Sequence, residues 1–256
     1  SLTIPDSVTS IGRQAFGDIP LKTLVIGNGL SNVGVEAFLN ACQTLESVAI
    51  DSAVALGRTG SSYRYTFGRR DGEAVWFSGY AGLHFGRFYD NTGSREWGVT
   101  AYQCPKLETI TLGDNVVTVG DYAFDAREDL SSLTSVTLGA GVTDIGASAF
   151  AGASNLVSLT IPDSVVRIGA NAFQGATRLT SLTLGAGLLE IGSTVFNGAT
   201  SLTSVTLPDS LTTIGSSAFS GATNLVSINL PDSVTSIASR AFQDTGLTSI
   251  TIPDAV

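Results

Sequence analysis

The chain of 256 residues lacks several residue types on which metal, redox and nucleic-acid chemistry depend. It contains no Met, a single His (His84) and two Cys (Cys42 and Cys104), too few for a Cys/His zinc site. Charged residues make up 14% of the sequence, and 22 acids against 13 bases give a net charge of −9. Because DNA and RNA require a basic face, we expect no nucleic-acid partner, and we expect no metal or cofactor.

Long hydrophobic runs are also missing. No stretch of 18 or more consecutive apolar residues occurs, so we expect no helix that inserts into a membrane. The lack of a starting Met and of a signal peptide leads us to expect a processed or excised piece. The chain also starts within a predicted strand and stops just past one, without polar caps. This leaves open a longer array or head-to-tail self-association of units.

Repetition is what the sequence does have. From Asn155 to Phe242 a unit of 23 residues recurs, beginning as N-L-V-S-L-T-I-P-D-S-V-V-R-I-G-A-N-A-F-Q-G-A-T. Each unit carries one Phe, and these lie at positions 16, 38, 124, 150, 173, 196, 219 and 242. A period of this length is typical of a solenoid, in which stacked coils bury one continuous core.

Each repeat unit of 23 residues predicts one coil of the solenoid. Leu159 and Ile161 alternate with Ser158 and Thr160, which predicts a strand with its apolar side chains inward and its hydroxyls outward. The Pro-Asp-Ser that follows predicts a turn, Gly169 predicts a second bend, and Ala-Phe predicts a short helical turn whose ring fills the coil. Ten parallel strands are predicted, starting near Ser1, Leu21, Leu45, Leu107, Leu133, Leu156, Leu179, Leu202, Leu225 and Leu247.

One repeat is interrupted. Gly57 ends a normal segment, yet Tyr102, which stands in the Phe column, follows only after 41 extra residues, about Arg58 to Gly98. We therefore divide the chain into repeats over 1–57, an aromatic- and Arg-rich β insertion over 58–98, and repeats over 99–256.

The unit L-x-S-[LV]-T-[LI]-P-D-S-V-T-x-I-G-x-x-A-F-x-G-A resembles the BspA-like, or Treponema pallidum-type, leucine-rich repeat, over everything but the insertion. The resemblance implies an α/β solenoid: a curved, right-handed leucine-rich repeat of about ten coils of 23 residues, with a parallel β-sheet on its concave face and one small β-rich insertion. That family is found largely on bacterial surfaces and in secreted proteins, and its members are linked to adhesion. It thus implies a non-enzymatic microbial binding module, extracellular or at the cell surface, that recognises an extracellular protein or glycan. A spacer or head-to-tail filament subunit is the alternative.

The insertion is the candidate recognition element. It holds ten of the twenty aromatic residues and six of the thirteen basic ones, and aromatics and Arg are the types enriched at binding hot spots. Two runs around Asp71-Gly72, Tyr63–Phe67 and Ala74–Phe77, predict a hairpin, and Leu83–Tyr89 suggests a third strand. The alternative is that the rings form the insertion's own core. We expect ligand contacts from Arg69, Arg70, Trp76, Tyr80, Arg87, Tyr89 and Trp97.

The two cysteines occupy equivalent positions in two coils. Cys42 lies three residues before Leu45, and Cys104 three before Leu107. Equivalent positions on adjacent coils are about 4.8 Å apart, which is within the Cα separation of a disulfide. We predict that Cys42 and Cys104 are bonded at the base of the insertion; the alternative is two buried thiols that pack as small apolar groups.

Two surface columns recur along the repeats. One is acidic (Asp6, Asp163, Asp209, Asp232 and Asp254) and favours turn capping over a Ca²⁺ site, because one carboxylate per coil makes a poor cage. The other consists of outward Ser and Thr ladders such as Ser158, Ser181, Ser204 and Ser227. Such ladders suit any exposed sheet face, and alternatively offer a flat array for a glycan, a protein or ice.

Catalytic constellations are not recognisable in the sequence. His84 has no triad partner or metal ligand near it and is read as an ordinary polar residue of the insertion. No Ser-His-Asp, Cys-His or carboxylate pair can be assigned to a cleft, so we do not expect an enzyme.

Overall fold

The computed structural model describes residues 1–12, 15–33, 37–38, 41, 44–52, 64–66, 76–78, 104, 106–125 and 132–256. Over these residues the chain forms a parallel β-solenoid, and successive coils contribute one longer strand and one strand of two residues. The longer strands are β1 (Leu2–Ile4), β3 (Thr23–Ile26), β5 (Ser47–Ile50), β8 (Thr109–Leu112), β10 (Ser135–Thr137), β12 (Ser158–Thr160), β14 (Ser181–Thr183), β16 (Ser204–Thr206) and β18 (Ser227–Asn229). The two-residue strands are β2 (Ser10–Ile11), β4 (Asn32–Val33), β9 (Thr118–Val119), β11 (Asp144–Ile145), β13 (Arg167–Ile168), β15 (Glu190–Ile191), β17 (Thr213–Ile214) and β19 (Ser236–Ile237).

The longer strands form one face of the solenoid, which we call the long-strand face. Strands β1, β3, β5, β8 and β10 are hydrogen-bonded in that order, and the pairs β12–β14 and β16–β18 follow. Like residues meet in register, as Leu159 does with Leu182. The predicted single sheet is thus divided into three hydrogen-bonded groups. Within the described residues nine of the ten predicted strands form. The segment near Leu247 does not form a strand.

The two-residue strands form a second parallel ladder, which the sequence analysis did not predict as strands. β9, β11, β13, β15, β17 and β19 make a six-stranded sheet, and β2 pairs with β4. Ile168 of β13 belongs to the core and is 1% exposed. A strand was not predicted there, since two residues are too few to display an alternating pattern.

The α part of the predicted α/β class is not formed: the described residues contain no α-helix. Around each core Phe the chain makes single turns instead, closed by bonds such as Ala172 N–H to Gly169 O and Ala176 N–H to Phe173 O. Within the first of these turns Asn171 has a φ of 59°, in the left-handed region, and this interrupts a right-handed helix. The same conformation recurs at Tyr122, Ser148, Thr194, Ser217 and Arg240.

The core is organised around a ladder of Phe rings. Rings in successive coils stack with centroids 5.2 to 5.9 Å apart from Phe124 to Phe242, and Phe16 stacks on Phe38 at 5.5 Å. From Phe124 to Phe219 the side chains are 0% exposed. The prediction that Phe fills each coil is confirmed, whereas Tyr102, predicted to continue the ladder, lies outside the described residues.

Polar side chains tie each coil to the next rather than to their own turn. Ser164, Ser210 and Ser233 each donate an Oγ–H to a carbonyl of the preceding coil at 2.7 Å. Asp163 Oδ1 accepts the N–H of Ala186 in the following coil at 2.8 Å. Asp163 therefore caps a turn, as predicted, but the turn belongs to the following coil and not to its own. Each such bond stabilises the fold by roughly 0.5–1.5 kcal/mol.

Candidate functional site

The coils on either side of the insertion are direct neighbours. Strand β5 pairs with β8 in parallel, with Ser47 opposite Thr109 and Ile50 opposite Leu112. This confirms the prediction that the strands following Leu45 and Leu107 lie side by side. The residues between them therefore do not interrupt the stack of longer strands.

Part of the insertion is a hairpin. Strands β6 (Arg64–Thr66) and β7 (Trp76–Ser78) pair antiparallel, with Arg64 opposite Ser78 and Thr66 opposite Trp76. The predicted hairpin is confirmed to this extent, and Trp76 begins its second strand. The other predicted contact residues and the suggested third strand lie outside the described residues, so those assignments stay predictions; the residues are Arg69, Arg70, Tyr80, Arg87, Tyr89 and Trp97.

The predicted disulfide lies at the base of this insertion. Cys104 is 0% exposed, whereas Cys42 lies outside the described residues. The offset along the chain between Ser47 and Thr109, which are register partners, equals the offset between the two cysteines. The register of β5 and β8 is the one that this pairing requires, and the pairing itself stays a prediction.

The long-strand face displays uncharged hydroxyls. From β10 to β18 the outward side chains are exposed and none of them is ionisable. Partners in register are alike, as Ser158 is with Ser181 and Thr160 with Thr183. The two exposed columns are Ser135, Ser158, Ser181, Ser204, Ser227 and Thr137, Thr160, Thr183, Thr206, Asn229.

A groove runs along the other face, and sequence analysis missed it. It has a volume of about 610 Å³ and follows the ladder from β9 to β15. One side of the groove is formed by residues of the two-residue strands, namely Asp144, Arg167 and Glu190. The other side is formed by the residue that comes after the Gly that follows each strand, namely Asp121, Ala147, Ala170 and Ser193. We call this the short-strand groove. Its residues lie about one repeat apart in the chain, so only the register of the two-residue strands brings them together.

Arg167 is the central charge of the groove. Its Nη2 and Nε donate to Asp144 Oδ1 at 2.7 and 3.1 Å, and Glu190 is its register partner on the other side. The hydrogen bond that Arg167 donates to Asp144, followed by the charges of Asp144 and Glu190, raises the pKa of Arg167 above its usual value. The guanidinium side chain remains 64% exposed. The pair therefore contributes little to stability, and its hydrogen-bonding groups stay accessible.

The described part of the chain contains no helix that is both long and apolar enough to cross a membrane. Its His, Cys, Asp and Glu side chains form no group of three or more that could hold a metal ion.

These coils define a leucine-rich-repeat protein. The family model of the BspA type leucine rich repeat region matches in six copies, over residues 1–62, 98–198 and 143–256. The chain belongs to this family, as its repeat unit predicted. Residues 63–97, within the insertion, fall in none of the matched ranges.

Solved structures show similar repeats. A leucine-rich repeat protein of T. pallidum is 33% identical, with a TM-score of 0.47 over 53% of this chain and 63% of that one. A leucine rich cell surface protein of Faecalibacterium prausnitzii is 22% identical, with a TM-score of 0.45 over 97% of this chain and 77% of that one. A leucine-rich repeat protein of Bacteroides ovatus is also 22% identical, with a TM-score of 0.40 over 94% and 69% of the two chains. The chain thus spans less than two thirds of the T. pallidum protein. No curated protein matches it.

Proposed function

We propose that this chain is a non-enzymatic binding module, secreted or displayed at a microbial cell surface, that recognises an extracellular protein or glycan. Membership of the BspA-type family supports this proposal. The solenoid supports it physically, because stacked coils present long exposed faces on a rigid core.

The direct pairing of β5 with β8 is the observation that carries the proposal. Half of the aromatic residues of the chain lie in a segment that the strand ladder does not require in order to form. Aromatic and Arg side chains are costly to expose or order without a partner, and they are the types that dominate binding energies. A recognition role for residues 58–98 accounts for the concentration of aromatic and Arg residues in this segment.

Deletion of residues 58–98 tests the proposal. Because β5 and β8 are neighbours, the coil closes when Gly57 is joined to Val99, and the circular dichroism of the parallel sheet should be retained. We expect the intact chain to bind at least one member of an array of matrix proteins and glycans. We expect the deletion variant to lose that binding.

A matched control alters the long-strand face and leaves the insertion unchanged. Thr160→Lys with Thr183→Lys places two charges on neighbouring exposed positions of β12 and β14. Binding should survive these substitutions. Binding that survives the deletion but is lost with the two lysines would move the site to the long-strand face, and no binding to any array member would contradict the proposed function.

A further inference from the structure

The short-strand groove carries hydrogen-bond donors that have no acceptor in the described chain. In its first coil Asp121 Oδ1 accepts the N–H of Ala147 at 2.7 Å. In the next two coils Ala147 and Ala170 stand in the Asp121 column, so the N–H groups of Ala170 and Ser193 lack that carboxylate. Within the described chain neither N–H donates to any residue, and both residues line the groove.

Acceptors lie within the same groove. Asp144 and Glu190 flank Arg167 along the ladder, and Asp121 retains Oδ2 after capping Ala147. The groove therefore holds three carboxylates, one guanidinium and two backbone N–H groups that have no acceptor in the described chain.

This mixture of charges selects for a neutral ligand. A polyanion would be repelled by the three carboxylates, which outnumber the single guanidinium. A polycation would bring donors alone, so Arg167 and the N–H groups of Ala170 and Ser193 would find no acceptor in it. Sugar hydroxyls both donate and accept, so they can satisfy carboxylates, guanidinium and free N–H groups together.

The repeat adds a second constraint on the ligand. Coils succeed one another at about 4.8 Å, and each contributes one Gly to the groove, at Gly120, Gly146, Gly169 and Gly192. The backbone of the groove therefore repeats from coil to coil, although the side chains along it differ. A polymer of identical units can match this repeat along the groove. An extended peptide advances about 3.3 Å per residue and points successive side chains to opposite sides, so its residues do not match the spacing of the coils.

We propose that the short-strand groove binds an uncharged linear oligosaccharide that runs along the solenoid over the coils of β9 to β15. This inference rests on the proposed binding function and assigns to it a site separate from the insertion. Arg167 and the N–H groups of Ala170 and Ser193 donate to the sugar, and Glu190 and Asp121 accept from it.

Titration with uncharged hexasaccharides tests this site. The probes are the β-1,4-linked hexamers of glucose, N-acetylglucosamine, xylose and mannose, added to the full chain and followed by calorimetry and by amide NMR shifts. We expect at least one to bind saturably and to shift the amides of Ala170 and Ser193. Arg167→Ala should weaken this binding roughly tenfold, as expected for loss of a charge-assisted hydrogen bond, and Ser193→Trp should abolish it by filling the groove.

Two matched variants control for effects on the surface in general. Arg178→Ala removes another exposed Arg, which donates to Asn155 outside the groove. Ser239→Trp adds the same ring in the same column as Ser193, beyond the groove. Both should bind as the unaltered chain does.

The outcomes separate this inference from the proposed function. No saturable binding of any hexamer, or equal binding by Arg167→Ala and the unaltered chain, would overturn the groove assignment. So would an NMR footprint outside β9–β15, or saturable binding of peptides alone. If array binding persists in Ser193→Trp and is lost on deletion of residues 58–98, the module function stands while the groove proposal fails.

Discussion

At the scale of single residues, the glycine column after the short strands shows how tightly the coils pack. Sequence analysis attributed Gly169 to backbone freedom in a bend, but its φ does not lie in the left-handed region. A Cβ at this position would lie 2.6 Å from Ala147 N and 2.7 Å from Gly146 C, both backbone atoms of the preceding coil. Gly169 is therefore required because neighbouring backbones approach closely.

Gly169→Ala should lower the unfolding free energy by about 1–3 kcal/mol, the usual cost of overpacking a rigid contact. Gly12 occupies the same column in the first coil, where an added Cβ would meet nothing within 4 Å. Gly12→Ala should be neutral or slightly stabilising because it restricts the unfolded chain. Urea denaturation of both variants measures the difference, and equal losses would refute the close-approach explanation.

At the scale of elements, two short strands and one Phe ring hold together each coil that the structure describes in full. Strands of two to four residues could not form stable sheets alone. They are stabilised because each aligns with its equivalent in the next coil while Phe rings stack beneath them. Hydrogen bonds between coils, such as the one that Ala186 N–H donates to Asp163, also hold neighbouring coils together.

Phe173→Ala should destabilise the fold by about 3–5 kcal/mol, because it opens a cavity between two stacked rings in a fully buried site. Phe242 is half-buried, and among the described residues it stacks on Phe219 alone. Phe242→Ala should therefore cost clearly less. Thermal and urea unfolding of the pair check this order, and a larger loss for Phe242→Ala would contradict a ladder whose strength depends on neighbours.

At the scale of the whole molecule, the solenoid accommodates a foreign segment because stability is distributed among neighbouring coils. The pairing of β5 with β8 leaves the hydrophobic core continuous, from Ile50 to Leu112, both 1% exposed. The predicted disulfide between Cys42 and Cys104 would join these two neighbouring coils.

Cys42→Ser with Cys104→Ser should lower the unfolding free energy by on the order of 4 kcal/mol, the chain-entropy value for a closed loop of about 60 residues. Mass spectrometry after alkylation of the denatured, unreduced chain should detect no modified thiol. Reduction of the unaltered chain should reproduce the loss of stability seen in the double variant. Two alkylated cysteines before reduction would show instead that the thiols are free.

Much of the architecture could be predicted from the sequence because its signals repeat within one unit. Alternation such as Leu159, Thr160, Ile161 predicts a strand locally, and the recurring Phe predicts a core residue in every coil. The antiparallel hairpin of the insertion was predicted from a turn signal between two short runs. The family followed from the same unit and matches over the repeats.

The sequence by itself determined the coil, its period and its buried residues, since burial within a coil depends on side chains a few positions apart. The tertiary structure alone decided the two-residue strands, the caps directed at neighbouring turns and the short-strand groove. Each of these joins residues one repeat apart, such as Arg167 with Asp144 and Glu190. Such residues become neighbours only when stacking sets the register between coils, and no pattern within one unit contains that register.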